Sequence, residues 1–372
     1  MLAAGEWRAT AHAQDPGTIG FHLSALYSPV GWMGWTDIAR QWEAATTDEA
    51  RRSFKNSVLG ETWVESGEAP DWQRLYERRE DWPWGTVPSG GLFLTAGADV
   101  QKDLIEVSVW AWGRGLTSWL VEHIVLDGGP EHAETWSAIT ELLGRTWPHA
   151  HGVRLGLAKL AIDTGYEAPA VYAWARAAGF AQVAPVKGVE GFNRAAPVVG
   201  PSFVDMTEGG RKLRRGARLW TVAVATFKSE TYRFLRLVRP TDEERAAGAV
   251  VPAGYMHLPR GLDAEAVKQL VAEQLATVTT RRGFQRLEWQ KLRERNEVLD
   301  CRVYARAAAW IAGVDRWNDE KWRDLEAQIR PPEESTITPP DATDAPSPDR
   351  SAGVLRRPPP RRHRVFRSSY LG

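Results

Sequence analysis

The chain has 372 residues, 43% hydrophobic and 25% charged, which is ordinary for a globular protein of two or three domains. Lys plus Arg and Asp plus Glu both number 47, so a generally basic, histone-like binder is excluded, although local basic patches are not. One cysteine, Cys301, excludes a disulfide framework or a multi-cysteine zinc module. No apolar run approaches the roughly 18 residues that span a bilayer. Glu6 and Arg8 interrupt any signal-like stretch ahead of Ala11-His12-Ala13, so a cytosolic protein is expected.

Residues 1–90 carry turn signals and short helical patterns. Thr36 is placed to cap a helix reaching Trp42, Thr47 one reaching Val58, and Asp71 a third through Leu75 and Tyr76. Pro83, Gly85, Pro88, Gly90 and Gly91 then mark a domain boundary. In the second part, residues 91–330, the near-continuous apolar run Leu92–Val100 suits a central strand. A turn at 101–103 leads into Leu104–Trp112, where Ile105, Val107, Val109 and Ala111 share one face. A third strand is expected over 117–126, making an antiparallel meander. A helix over 131–145, a strand over 157–162, a helix over 167–178 and a strand over 182–186 follow. This β-β-β-α-β-α-β order is that of a ribonuclease-H-like mixed α/β sheet flanked by helices. Further on, the pattern predicts a strand over 217–224 and helices over 227–237, 263–276 and 297–313. Residues 331–372 include nine prolines. An acidic block (331–349) precedes a block with seven Arg and no acid (350–372), a composition expected of a disordered tail.

Asp is disfavoured inside strands, yet Asp99 sits in the first apolar strand and Asp163 ends Leu160-Ala161-Ile162. In the expected order those strands are neighbours, so their ends bring the carboxylates together. Asp300 lies in the first turn of the 297–313 helix, beside a packing stripe of Leu299, Val303, Ala307 and Trp310. Three unpaired carboxylates resist joint ionisation unless a cation joins them. Mg²⁺ or Mn²⁺ prefers such hard oxygen ligands. Two such ions about 3.5–4 Å apart can activate water and stabilise a leaving 3′ oxygen. Taken singly, each aspartate also reads as a turn former or helix cap.

Several stretches resemble the large terminase subunit of lambda-type tailed bacteriophages, in its C-terminal nuclease part. They are Leu94-Thr95-Ala96-Gly97-Ala98-Asp99-Val100-Gln101, Ala161-Ile162-Asp163-Thr164-Gly165-Tyr166 and Asn296-Glu297-Val298-Leu299-Asp300-Cys301. Shorter matches are Val186-Lys187-Gly188, Met256-His257-Leu258-Pro259 and Gln269-Leu270-Val271-Ala272-Glu273. Gly20–Pro29 resembles the segment joining motor and nuclease. The resemblance implies an endonuclease that cuts concatemeric double-stranded viral DNA during packaging, with Asp99, Asp163 and Asp300 as its catalytic and metal-binding acids and two Mg²⁺ or Mn²⁺ ions. It implies a small terminase subunit and a portal protein as partners, the portal through the tail, and a place in the host bacterial cytoplasm at the procapsid portal. Residues 1–90 then read as the helical linker after an ATPase motor. The chain has no G-x-x-x-x-G-K-[ST] loop, so no ATP hydrolysis is expected from it.

Lys187, Lys228, Glu273 and Glu297 are accessory candidates, the two glutamates also reading as helix-surface charge. Arg211, Lys212, Arg214, Arg215 and Arg218 read as an exposed loop suited to phosphate contact. Arg281, Arg282 and Arg286 belong to a basic run leading into the Asp300 helix. His149 and His151 lack a third zinc ligand nearby, and no G-x-S-x-G is present. Two rival readings stay open: a non-catalytic docking module of a degenerate prophage, and an integrase or transposase of the same fold.

Overall fold

In the computed structural model, residues 21–329 are described, apart from 22, 30, 47, 62–68, 193, 195, 209 and 280–284. The expected tail, 331–372, lies outside the described residues. Three helices come first: α1 Trp35–Ala44, α2 Asp48–Phe54 and α3 Trp72–Glu77. α1 starts two residues ahead of the expected Thr36 cap, from Gly34. Asp71 caps α3 as expected, accepting from the Gln73 N–H at 2.9 Å.

The meander follows as β1 Phe93–Val100, β2 Leu104–Trp112 and β3 Ser118–Asp127. Next come α4 Ala133–Gly144, β4 Thr146–Pro148, β5 Arg154–Asp163, α5 Ala168–Ala178 and β6 Val183–Val189. A long hairpin, β7 Val198–Glu208 and β8 Arg211–Ala223, runs into α6 Val224–Arg236. The chain continues through α7 Asp242–Ala246, β9 Met256–His257, α8 Ala264–Leu270, β10 Glu273–Thr279, β11 Gln285–Lys291, α9 Glu297–Ala312 and α10 Asp319–Ile329. Among the described residues nine strands form one mixed sheet, ordered β7-β8-β6-β5-β1-β2-β3-β9 with β4 on β5. The pair β10-β11 stands apart as its own hairpin. β1, β2 and β3 are antiparallel, while β5 is parallel to β1 and β6 to β5. This is the ribonuclease-H-like order.

Two expectations are corrected. The helix foreseen over 263–276 ends at Leu270, and Glu273 opens β10 instead. The β-branched run of Thr277, Val278 and Thr279 suits a strand. The basic stretch 211–218 is the first half of β8, because Gly210, at φ +77°, turns the chain back against β7.

Alternation along the strands decides where chemistry can occur. Leu94, Ala96, Ala98 and Val100 of β1 pack with Ile105, Val107, Val109 and Ala111 of β2 in one cluster, joined by Ile139 of α4 and Val171 of α5. Thr95, Gly97 and Asp99 therefore point to the opposite face, which α9 covers. The Thr95 hydroxyl donates to the Ala305 carbonyl at 2.8 Å. A Cβ on Gly97 would run into the Cys301 carbonyl and the Ala305 amide of α9. Helix and strand thus meet backbone to backbone at the one position that has no side chain. Next to Cys301 on α9, the buried Arg302 guanidinium lies over the indoles of Trp110 and Trp112, 4.2 and 4.5 Å from the ring centres. None of its three nitrogens has a hydrogen-bond partner among the described residues, and burial pushes it down to about 9.

Gly97→Ala is expected to destabilise the fold by about 1–3 kcal/mol through overpacking. Denaturant unfolding of the purified chain checks this; an unchanged midpoint would mean that α9 can move away freely.

Candidate active site

The parity that aims Asp99 at α9 aims Asp163 the same way. Ala98 of β1 is level with Ile162 of β5, so Asp99 and Asp163 follow at matching height on adjacent parallel strands. Leu160 and Ile162 face the α4–α5 side, whereas Ala161 packs with Leu299 and Val303 of α9. Asp300, in the first turn of α9, is carried to the same end of the sheet.

A cavity of about 370 Å³ opens there. Asp163, Asp300, Glu273, Lys228 and Lys187 line it, together with Trp289, Lys291, Asn296 and Tyr304. Asp99 is outside this lining but feels the charges of Asp300 and Asp163. Its carboxylate accepts from the Gln101 amide at 2.5 Å. Burial, then the Asp300 charge, raises Asp99 to about 8. Asp163 accepts from the Gly165 N–H at 2.8 Å and the Tyr304 hydroxyl at 2.9 Å, and burial still leaves it above the usual carboxylate range. The turn role of Asp163-Thr164-Gly165 is therefore real, and it also fixes the orientation of the carboxylate. Asp300 rises to about 6 from burial, opposed by Lys228.

Lys228, on α6, is 5% exposed. Its ammonium lies 2.8 and 2.9 Å from the two Glu273 oxygens and 3.6 Å from Asp300 Oδ1. Burial pulls it down, but Asp300 and Glu273 together outweigh this and hold it above its ordinary value. Glu273, an accessory candidate that also read as helix-surface charge, is 2% exposed and tied into the same cluster. The Asn296 amide donates to both Glu273 Oε1 and Asp300 Oδ2, each at 2.8 Å, and Lys291 donates to Asn296 Oδ1 at 2.7 Å.

The other candidates divide. Lys187 is exposed at the cavity wall. Glu297 pairs with Arg295 at 3.3 Å and does not line the cavity. Arg211, Lys212, Arg214, Arg215 and Arg218 are exposed along β8, away from the cavity lining. Arg286 is exposed on β11 and pairs with Glu288 at 2.7 Å, while Arg281 and Arg282 lie outside the described residues. The His149 and His151 rings are 5.1 Å apart. The Cys301 thiol is buried, donates to the Glu106 carbonyl at 3.1 Å and is pushed well up by burial, which suits packing and not nucleophilic attack. Neither Asn296, which appears only within a matched stretch, nor Tyr304 has a site role by sequence, although each is about one helical turn from Asp300.

Among the described residues, no three His, Cys, Asp or Glu side chains are drawn together closely enough to hold an ion as they stand. The donor set still fits a hard dication. Asp99 and Asp163 are buried carboxylates with neutral hydrogen-bond donors and no cationic partner among the described residues. Bringing them closer without a cation would add repulsion.

Strand order defines a ribonuclease-H-like protein, with buried carboxylates beside a cavity at one end of its sheet. The chain belongs to the terminase large subunit gpA endonuclease-domain family, which it matches over residues 18–322. It is 31% identical over 307 residues to the terminase large subunit of Escherichia phage lambda, covering 82% of this chain and 45% of that protein. It is 32% identical over 327 residues to that of Enterobacteria phage P21, covering 87% and 48%. The chain thus spans about half the length of these relatives. Among solved structures, it is similar to the large terminase nuclease from thermophilic phage G20c (TM-score 0.31, 14% identity, 58% of this chain and 81% of that one). It is also similar to the g2p large terminase nuclease domain of bacteriophage SPP1 with bound Mn (TM-score 0.28, 11% identity, 65% and 93%). No helix among the described residues is long and apolar enough to cross a membrane.

A raised carboxyl pKa makes the folded state hold its proton more tightly than the unfolded one. The resulting stability is complete below the ordinary carboxyl range near 4 and is lost as pH climbs through about 8 for Asp99 and about 6 for Asp300. Asp99→Asn is therefore expected to raise the thermal midpoint relative to the unaltered chain at pH 8 without added dication, and to leave it nearly unchanged at pH 4. Added Mn²⁺ should narrow the pH 8 gap, which thermal melts at both pH values measure.

Proposed function

We propose that this chain is a metal-dependent endonuclease that cuts double-stranded viral DNA during phage genome packaging. The observation that supports it most is the convergence of Asp99, Asp163 and Asp300 on one end and one face of the sheet, beside an open cavity edged by Lys187. Family membership supports the same reaction class. Asp99, Asp163 and Asp300 would hold Mg²⁺ or Mn²⁺. When bound, such a cation lowers the pKa of water and stabilises charge on the leaving oxygen of a phosphodiester.

The protein's own groups do the rest. Gly165 and Tyr304 fix the Asp163 carboxylate, and Gln101 fixes that of Asp99. Lys187 offers its ammonium to a backbone phosphate at the cavity edge. The exposed bases of β8 grip phosphates farther along the duplex without reading bases. By family likeness, a small terminase subunit would choose the site and a portal protein would receive the DNA, in the host cytoplasm.

Plasmid incubated with the chain and Mn²⁺ should be nicked and linearised, and Asp163→Asn should slow this at least about a thousandfold. Equal residual nicking by both proteins would remove the assignment, and joined strands among the products would favour a transposase-like reaction. Replacing Arg214 and Arg218 by Ala should weaken duplex binding equally for unrelated sequences. It should also reduce the slope of log K against log salt by about 2, measured by fluorescence anisotropy.

A further inference from the structure

Of the three lysines lining the cavity, Lys187 and Lys291 are exposed and Lys228 alone is buried, placed where only one of the acids can use its charge fully. Lys228 is buried and grips both oxygens of Glu273, with Asp300 Oδ1 3.6 Å from the same nitrogen. The other oxygen of Asp300, Oδ2, is taken by the Asn296 amide. That amide cannot rotate without loss, because Lys291 donates to its carbonyl oxygen and its nitrogen also serves Glu273. Both Asp300 oxygens are therefore engaged by the protein. Asp99 and Asp163 are not compensated in this way; their hydrogen-bond donors are Gln101, Gly165 and Tyr304, all neutral.

We infer that Lys228 is a resident cation standing in for one of two dications: the centre takes one Mg²⁺ or Mn²⁺ tightly at the Asp99–Asp163 strand ends and a second at Asp300 only weakly. This rests on the reading of the acidic centre as a metal site. A second ion approaching Asp300 meets the Lys228 ammonium, 3.6 Å from Oδ1, as a like charge, and it must also break the Asn296 hydrogen bond. Lys228 cannot withdraw easily, since leaving would strand Glu273 as a buried, unpaired carboxylate. Lys228 acts through Asp300 and Glu273, so it is a positioning residue, and its removal changes how many ions bind and how tightly.

The test counts bound Mn²⁺ on the full chain by electron paramagnetic resonance and by calorimetry, without DNA. The unaltered chain should show one tight ion and a second at least about tenfold weaker. The double substitution Lys228→Met with Glu273→Gln removes the ammonium and the charge it neutralises, and should tighten the second ion about tenfold. Lys228→Arg keeps the charge and should leave both affinities near their starting values. Two ions of equal affinity on the unaltered chain overturn the inference even if the double variant does not fold, and so does a second affinity unmoved in a folded double variant. Absence of any tight ion, or a tight ion indifferent to Asp163→Asn, instead removes the metal-site reading beneath it.

Discussion

Carboxylates gathered in a poorly hydrated space repel one another, and the rest of this molecule is arranged around that repulsion. Each acid is brought in by a separate element: Asp99 by β1, Asp163 by β5, Asp300 by α9 and Glu273 by β10. Two of these elements, β1 and α9, are held by burial along nearly their whole length, so neither can move to relax the repulsion alone. β1 is buried at every position, and α9 is buried at nearly all positions from Val298 to Ala309. The apolar contacts of sheet and helix therefore support an arrangement that the charges, left to themselves, would open. Lys228, Asn296, Tyr304 and Gln101 soften it locally, and they do so unevenly. The Glu273–Asp300 side is matched by a cation, while the Asp99–Asp163 side is served by neutral donors.

Much of the scaffold was legible because its signals were local. The apolar run ending in Asp99, the alternation of Ile105, Val107 and Val109, and the capping of α3 by Asp71 each depend on near neighbours in sequence. The parallel partnership of β1 and β5 follows from element order, which by itself sets Asp99 and Asp163 on neighbouring strand ends. The β7–β8 hairpin was only half legible. A stretch as basic as 211–218 looks like a loop to any reading based on hydropathy, because both faces of that part of β8 are largely solvated.

The burial of Glu273, an accessory candidate by sequence, was illegible for a different reason. A glutamate after Leu270-Val271-Ala272 continues a helical pattern, and nothing nearby signals that its charge is buried. Its partners are Lys228, 45 positions earlier, and Asn296, 23 positions later. Such a cluster is specified by three elements meeting, and pair information of that range is absent from one sequence. Asn296 and Tyr304 could have been found, since both lie at helical spacing from Asp300 and need only a check of its own helix face.

The Arg302 guanidinium held over Trp110 and Trp112 works like an index pin on α9. Sliding the helix along its axis, or rolling it, would draw the buried guanidinium away from both rings. That contact and the close approach at Gly97 both favour the observed setting of the helix. Because Asp300 sits two residues before Arg302, its height over the strand ends is tied to two indoles on β2, on the side of β1 away from β5.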